Sequence, residues 1–222
     1  MNKKLITIGL IILAATITLR IILNVARNIK PDDFKPAGIV FVVDASASNQ
    51  GMIQEQKQFI KRLCAQLDPD DLIKILRVSE TAYLIYEGSP QNGGAVNKAL
   101  NAFTNLDIKE KGTAYGPSFK KAFTHVLDLK KDGYTPAIIV IGDLEDDGAI
   151  ENRINWETLP NNVSRVMQYV PDLSLAFLYA KPEKLDKVED TLLPILGDNH
   201  LIVAPEQNAD KSVRKILLAI GR

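Results

Sequence analysis

One cysteine, two histidines and one tryptophan occur among the 222 residues, and aromatic side chains make up only 6% of the chain. The single thiol, Cys64, excludes an internal disulfide framework. Set at helical spacing in "FIKRLCAQL", it reads as a packed core group rather than a nucleophile or metal ligand. His125 falls within a helical run and His200 opens a late strand, and neither has an evident serine or cysteine partner in the sequence. Net charge is lacking as well. The 27 basic and 27 acidic residues balance, so no nucleic-acid partner is implied. The sequence holds no Walker loop, no G-x-S-x-G turn around Ser46, no G-x-G-x-x-G after its first strand, and no internal repeat or low-complexity tract.

What remains is a chain that is 46% hydrophobic with few aromatics, the composition of an α/β domain with a full core. One apolar segment stands apart from it. Leu5 to Leu19 carries no charge, and beyond Arg20 the apolar character resumes through Ile21, Ile22, Leu23 and Val25. As a helix, Leu5 to Val25 spans about 31 Å, near the hydrocarbon thickness of a bilayer, with Arg20 close enough to the end to snorkel. Residues 1–25 are therefore expected to be an uncleaved single-span membrane anchor. A secretory signal starting at Lys3 and Lys4 is the rival, but no convincing small-x-small cleavage site follows; a buried soluble helix is a third reading. Arg20, Arg27, Lys30 and Lys35 argue for a cytoplasmic domain by charge count, whereas the very short basic tail argues for an extracytoplasmic one, and the latter is preferred. Residues 26–36, with two prolines and mixed charges, read as a linker, leaving 37–222 as the folded domain.

Within that domain, "GIVFVVD" is a short unbroken aliphatic run of the kind a central parallel strand requires. An amphipathic helix follows in "MIQEQKQFIKRLCAQL". Next, "LIKILRV" and "AYLIYEG", separated by Ser79-Glu80-Thr81, predict a hairpin with one antiparallel edge strand. "AVNKALNAF" and "GPSFKKAFTHVLDL" read as helices and "PAIIVIGD" as a second buried strand. Helix and strand then alternate through "SRVMQYV", "LSLAFLYA", "EKLDKVEDTLLPIL", "HLIVA" and "DKSVRKILLAI". The fold class is α/β: a doubly wound, mainly parallel sheet with helices on both faces.

Two of these strands end in acids. Asp44-Ala45-Ser46-Ala47-Ser48 follows the first, and Asp143 follows the second. Ser46 or Ser48 could cap a helix starting near Asn49. Alternatively, Asp44, Ser46 and Ser48 are hard oxygen donors suited to Mg²⁺ or Mn²⁺, and a cation there needs more oxygen than one turn supplies. Ligands in such sheets bind beyond the carboxyl ends of the strands. There Asp143, and Thr113 from the loop "KEKGTAYG" before a helix, can join the first three.

In residue type, order and setting, Asp44-x-Ser46-x-Ser48, Thr113 and Asp143 resemble the metal-ion-dependent adhesion site of the von Willebrand factor A domains, including the inserted domains of integrins. The resemblance spans roughly residues 37 to 222. It implies that Ser46, Ser48 and sometimes Thr113 touch Mg²⁺ while Asp44 and Asp143 act largely through bound water. It also implies a partner protein that offers an Asp or Glu to the metal, as adhesion or as one subunit of a membrane assembly. One departure matters. The family usually has Thr or Ser before its last acid and Gly after it, whereas this chain reads Gly142-Asp143-Leu144. Glu145, Asp146 and Asp147 then form an acidic knot, expected to be a solvated loop or a means of raising cation affinity. Trp156 reads equally as core or as a contact anchor. A Mg²⁺-dependent phosphatase is the enzymatic rival, but Ser46 stands where that chemistry commonly places its general acid. A structural subunit with a vestigial site is the third reading.

Overall fold

β1 (Ala37–Asp44) alternates Ile39, Phe41 and Val43 with Val40 and Val42, and all eight of its residues are buried. A strand apolar on both sides must be covered on both sides. The computed structural model, which describes residues 35–49, 51–105, 113–205 and 209–222, shows how. β1 pairs in parallel with β2 (Leu72–Val78) on one side and β4 (Thr135–Ile141) on the other, with Ile39 opposite both Ile73 and Ala137. The six-stranded sheet has the order β3-β2-β1-β4-β5-β6, completed by β3 (Tyr83–Gly88), β5 (Ser174–Leu178) and β6 (Leu201–Ala204). Only β3 runs antiparallel, paired with β2 through a bulge at Ile75/Leu76, so the expected hairpin is present at an edge.

The alternation along β1 divides the core in two. Val40 and Val42 pack with α3 (Tyr115–Lys131), α4 (Leu159–Met167) and α5 (Pro182–Leu196) through Phe119, Val163 and Leu192. Ile39, Phe41 and Val43 pack with α1 (Ile53–Cys64), α2 (Gly93–Asn105) and α6 (Ala209–Ala219) through Phe59, Leu100 and Ile216. Each such fully buried side chain contributes roughly 1.5–3 kcal/mol. Cys64 is buried in the second cluster, and burial pushes its thiol up to about 12, consistent with a packed, unreactive group.

Two local expectations are corrected. The serines do not cap the first helix. Ala47–Asn49 forms a short 3-10 turn, α1 begins only at Ile53, and Met52 precedes it without a side-chain cap. α4 also starts earlier than the periodicity suggested. The Asn155 side chain accepts bonds from the N–H groups of Glu157 and Thr158 (3.1 and 3.0 Å), and Pro160 occupies the first turn, where its missing N–H costs nothing. Trp156 packs on the core's edge beneath Lys187, whose ammonium lies 5.0 Å from the ring centroid.

The chain divides into Met1–Lys35 and Pro36–Arg222. The expected anchor over residues 1–25, and the linker up to residue 34, lie outside the described residues. Among the described residues no helix is long and apolar enough to cross a membrane.

Candidate metal centre

β1 and β4 are neighbours, but the chain leaves β1 toward α1 on one face and β4 toward α4 on the other. Their carboxyl ends therefore frame the crevice where such sheets take ligands. Asp44 ends β1 with no solvent exposure. One carboxylate oxygen accepts the Ser46 N–H at 2.7 Å and the other accepts the Tyr115 hydroxyl at 3.0 Å. The turn that follows is held by Asn49, whose side chain donates to the Asp44 carbonyl (2.8 Å) and forms a two-bond amide pair with Gln56 (3.1 and 2.9 Å). Asn49 and Gln56 are both buried, so this amide pair anchors the turn to α1. The turn brings the Ser46 and Ser48 hydroxyls within 2.9 Å of each other.

The second loop carries Asp143, which is buried and accepts the Glu145 N–H at 2.9 Å. Its neighbours explain the departure in sequence. Leu144 takes a left-handed backbone conformation, φ 58°, which glycine enters freely and leucine does not. Leu144 is nonetheless 2% exposed and packs into the core, so apolar burial offsets the strain. At Gly142 a side chain has no room, since a Cβ there would lie 2.4 Å from the Tyr115 hydroxyl and 2.5 Å from the Asp44 Cβ.

Thr113, 5% exposed, belongs to the loop before α3. Its carbonyl accepts the Gly148 N–H at 2.8 Å and its N–H donates to the Asp147 carboxylate. The acidic knot is thus tied to its surroundings through hydrogen bonds, although Asp147 itself is exposed. Asp146 accepts the N–H groups of Tyr115, at the start of α3, and of Ile154. Glu145 binds Lys181 (2.8 Å) and Lys184 (3.4 Å), and the Lys181 bond holds its carboxyl below the usual range. These three acids fasten the Asp143 loop to the Thr113 loop, to the segment before α4 and to the start of α5. Asp146→Ala, which leaves two N–H groups unpaired in a half-buried place, is expected to cost about 2 kcal/mol in denaturant unfolding. The exposed-pair change Glu145→Ala is expected to cost about 0.5 kcal/mol or less.

The electrostatics are those of a buried carboxylate pair, with Lys181, held by Glu145, the cation whose charge reaches Asp143. Burial, opposed by the Ser46 N–H and reinforced by the charge of Asp143, pushes Asp44 up to about 7. The Tyr115 phenol is driven well above its usual value by burial, then by the two carboxylates. Among the described residues neither Asp44 nor Asp143 makes an ion pair. Nor do three or more His, Cys, Asp or Glu side chains cluster to hold a metal, so a cation here would rely on hydroxyl oxygens. Two buried carboxylates beside paired hydroxyls, with no thiol or imidazole, fit Mg²⁺ or Mn²⁺ and not Zn²⁺.

Tyr115 and Gln56 carry no signal in the sequence; Asn49 reads there only as the start of a helix, and Gly142 only as a departure from the family's pattern. Their parts depend on where a ring, an absent side chain and two amides meet in space. A tyrosine two residues after Thr113 has no local signature to tell it from a core aromatic.

Residues 39–146 match the family model described as von Willebrand factor type A domain. No curated protein matches the chain. Among solved structures, the conserved hypothetical protein BatB from Bacteroides thetaiotaomicron is 14% identical with a TM-score of 0.59, covering 82% of this chain and 98% of that one. An aerotolerance-related membrane protein from Bacteroides fragilis is 15% identical with a TM-score of 0.59, covering 83% of this chain and 98% of that one. The pilus adhesin SpaC from Lactobacillus rhamnosus GG is 13% identical with a TM-score of 0.58; 83% of this chain matches 30% of the adhesin. At such identities the likeness is one of fold.

Proposed function

We propose that the chain carries a von Willebrand factor type A domain and that it is a membrane-anchored, non-enzymatic docking module. Asp44, Ser46, Ser48, Thr113 and Asp143 would hold Mg²⁺ or Mn²⁺, and the partner is a protein offering an Asp or Glu carboxylate. Domains of this type commonly serve protein–protein interaction or adhesion. The observation that carries the reading is the crevice itself, where buried Asp44 and Asp143 face each other's charge with no ion pair among the described residues, beside hydroxyls 2.9 Å apart. A cation bound there supplies a Lewis-acidic position for one further carboxylate. Ser46 and Ser48 would contribute neutral oxygens, which would leave the cation enough charge to attract that carboxylate. Asp44 and Asp143 supply the negative charge that draws the cation into a buried place. Anchoring rests on the apolar run from Leu5 to Val25, and one similar structure bears the name of a membrane protein.

The test is calorimetric titration of the detergent-purified full chain with Mg²⁺ and Mn²⁺, beside Ser46→Ala combined with Ser48→Ala. One divalent site of millimolar or tighter affinity is expected in the wild type, and at least tenfold weaker binding in the double variant. Partner capture is expected with Mg²⁺ and not with chelator. Equal capture under both conditions would leave a plain docking surface in place of a metal bridge.

A further inference from the structure

The Tyr115 hydroxyl lies where a side chain at position 142 would begin, and it is bonded to the carboxylate that ends β1. The ring is fully buried at the start of α3. Its hydroxyl donates to Asp44 at 3.0 Å and accepts the Leu144 N–H at 3.3 Å. It therefore joins the loop after β1 to the loop after β4, and α3 supplies it two residues beyond Thr113. The space it fills exists only because residue 142 is glycine, as a Cβ there would stand 2.4 Å from this oxygen. A hydroxyl carried on residue 142 itself is excluded by the same crowding, so Tyr115 and Gly142 form one device that delivers a hydroxyl from a neighbouring helix.

We propose that Tyr115 is a positioning residue for the metal centre, fixing Asp44 against Ser46 so that the site is small and regular enough to favour Mg²⁺ over Ca²⁺. This rests on the metal reading of the crevice. The reason is geometric. Of the two Asp44 oxygens, the Ser46 N–H holds one and the phenol holds the other, so the carboxylate has no freedom to rotate. Mg²⁺ demands near-octahedral geometry at short distances, whereas Ca²⁺ accepts irregular, larger sets of oxygens. Releasing one oxygen of Asp44 therefore penalises Mg²⁺ more than Ca²⁺. Partners behind the direct ligands commonly govern affinity by tenfold or more when removed.

The test compares wild type, Tyr115→Phe and Tyr115→4-aminophenylalanine in the full chain. Mg²⁺, Mn²⁺ and Ca²⁺ affinities are measured by calorimetry, with the metal-free melting temperature as a control for folding. In Tyr115→Phe, Mg²⁺ and Mn²⁺ binding is expected to weaken about tenfold and Ca²⁺ binding about twofold, so the Mg²⁺ to Ca²⁺ preference falls about fivefold. The amino variant keeps a donor at the ring's end and is expected to restore most of the preference. A change in melting temperature with an unaltered Mg²⁺ to Ca²⁺ ratio would make Tyr115 a packing residue and overturn the proposal. So would a phenylalanine variant that binds all three ions as the wild type does. If the wild type binds no divalent ion, the metal reading falls and this inference with it. Should the phenylalanine variant fail to fold, the amino variant decides alone, and loss of the Mg²⁺ preference in that folded variant counts against the hydrogen bond.

Discussion

In metal-free full chain, Asp44→Asn is expected to raise stability near neutral pH by about 2 kcal/mol and to abolish the response of the melting temperature to Mg²⁺. Asp44 titrates near 3.8 when unfolded and near about 7 when folded, chiefly because burial disfavours its charge. Between those values the folded chain keeps a proton that the unfolded chain has released. The stability of the metal-free wild type therefore falls as pH rises from about 4 to about 7 and levels off above. The shift sets an upper bound of about 4 kcal/mol, reduced here because an amide serves the Tyr115 hydroxyl less well than a carboxylate does. Saturating Mg²⁺ should invert the order of the two proteins. At a hundredfold excess over Kd the wild type gains about 2.7 kcal/mol and the variant nothing. Protons compete with the cation for Asp44, so Mg²⁺ affinity is expected to weaken as pH drops through about 7. Urea unfolding from about pH 4 to about pH 8, with chelator and with Mg²⁺, checks each part. A variant no more stable than wild type in chelator at neutral pH would show that burial does not strain this carboxylate.

Gly142→Ala is expected to be more damaging than its single added methyl suggests. The new Cβ would meet the Tyr115 hydroxyl at 2.4 Å and the Asp44 Cβ at 2.5 Å. The first belongs to a fully buried ring and the second to the end of the central strand, so neither can yield cheaply. A cost of about 3 kcal/mol is expected, lowering the melting temperature by roughly 6–12 °C in a domain of this size. The relief available is removal of the hydroxyl. Adding Tyr115→Phe should recover part of the loss, and the double-variant cycle would measure the coupling directly. Strictly additive effects would mean that the collision with Asp44 alone sets the cost.

The fold was readable because its signals are local and redundant. Ile39 to Val43 and Ala137 to Ile141 are unbroken apolar runs, too short for helices and apolar on both faces. The spacing of Phe59, Ile60 and Leu63 fixes a helical stripe that does lie against the sheet. Boundaries were less legible. The start of α1 was misplaced because Asn49 and Gln56 hold the preceding turn through an amide pair that no periodicity encodes. Around the crevice, the residue types at the strand ends could be listed from the sequence. What fastens them could not. Asp146 and Asp147 read as solvated charge because an acid's neighbours in sequence do not reveal that a distant N–H will find it. Gly142 and Leu144 read as defects in a familiar pattern, yet in the fold the glycine makes room for a phenol and the leucine adopts the backbone turn that a glycine enters freely.

β1 also has a mechanical meaning. β1 begins at Ala37 and ends at Asp44, so under the proposed anchoring the strand would run from the tethered side to the crevice. A partner pulling on the crevice while the chain is held before Ala37 loads β1 along its own length. Seven register pairs with β2 and seven with β4 resist that pull together in shear, rather than opening one after another as in a peeled edge strand. Were the chain tethered and loaded as proposed, tension would be carried by this embedded strand, with the β3 hairpin outside the line of force.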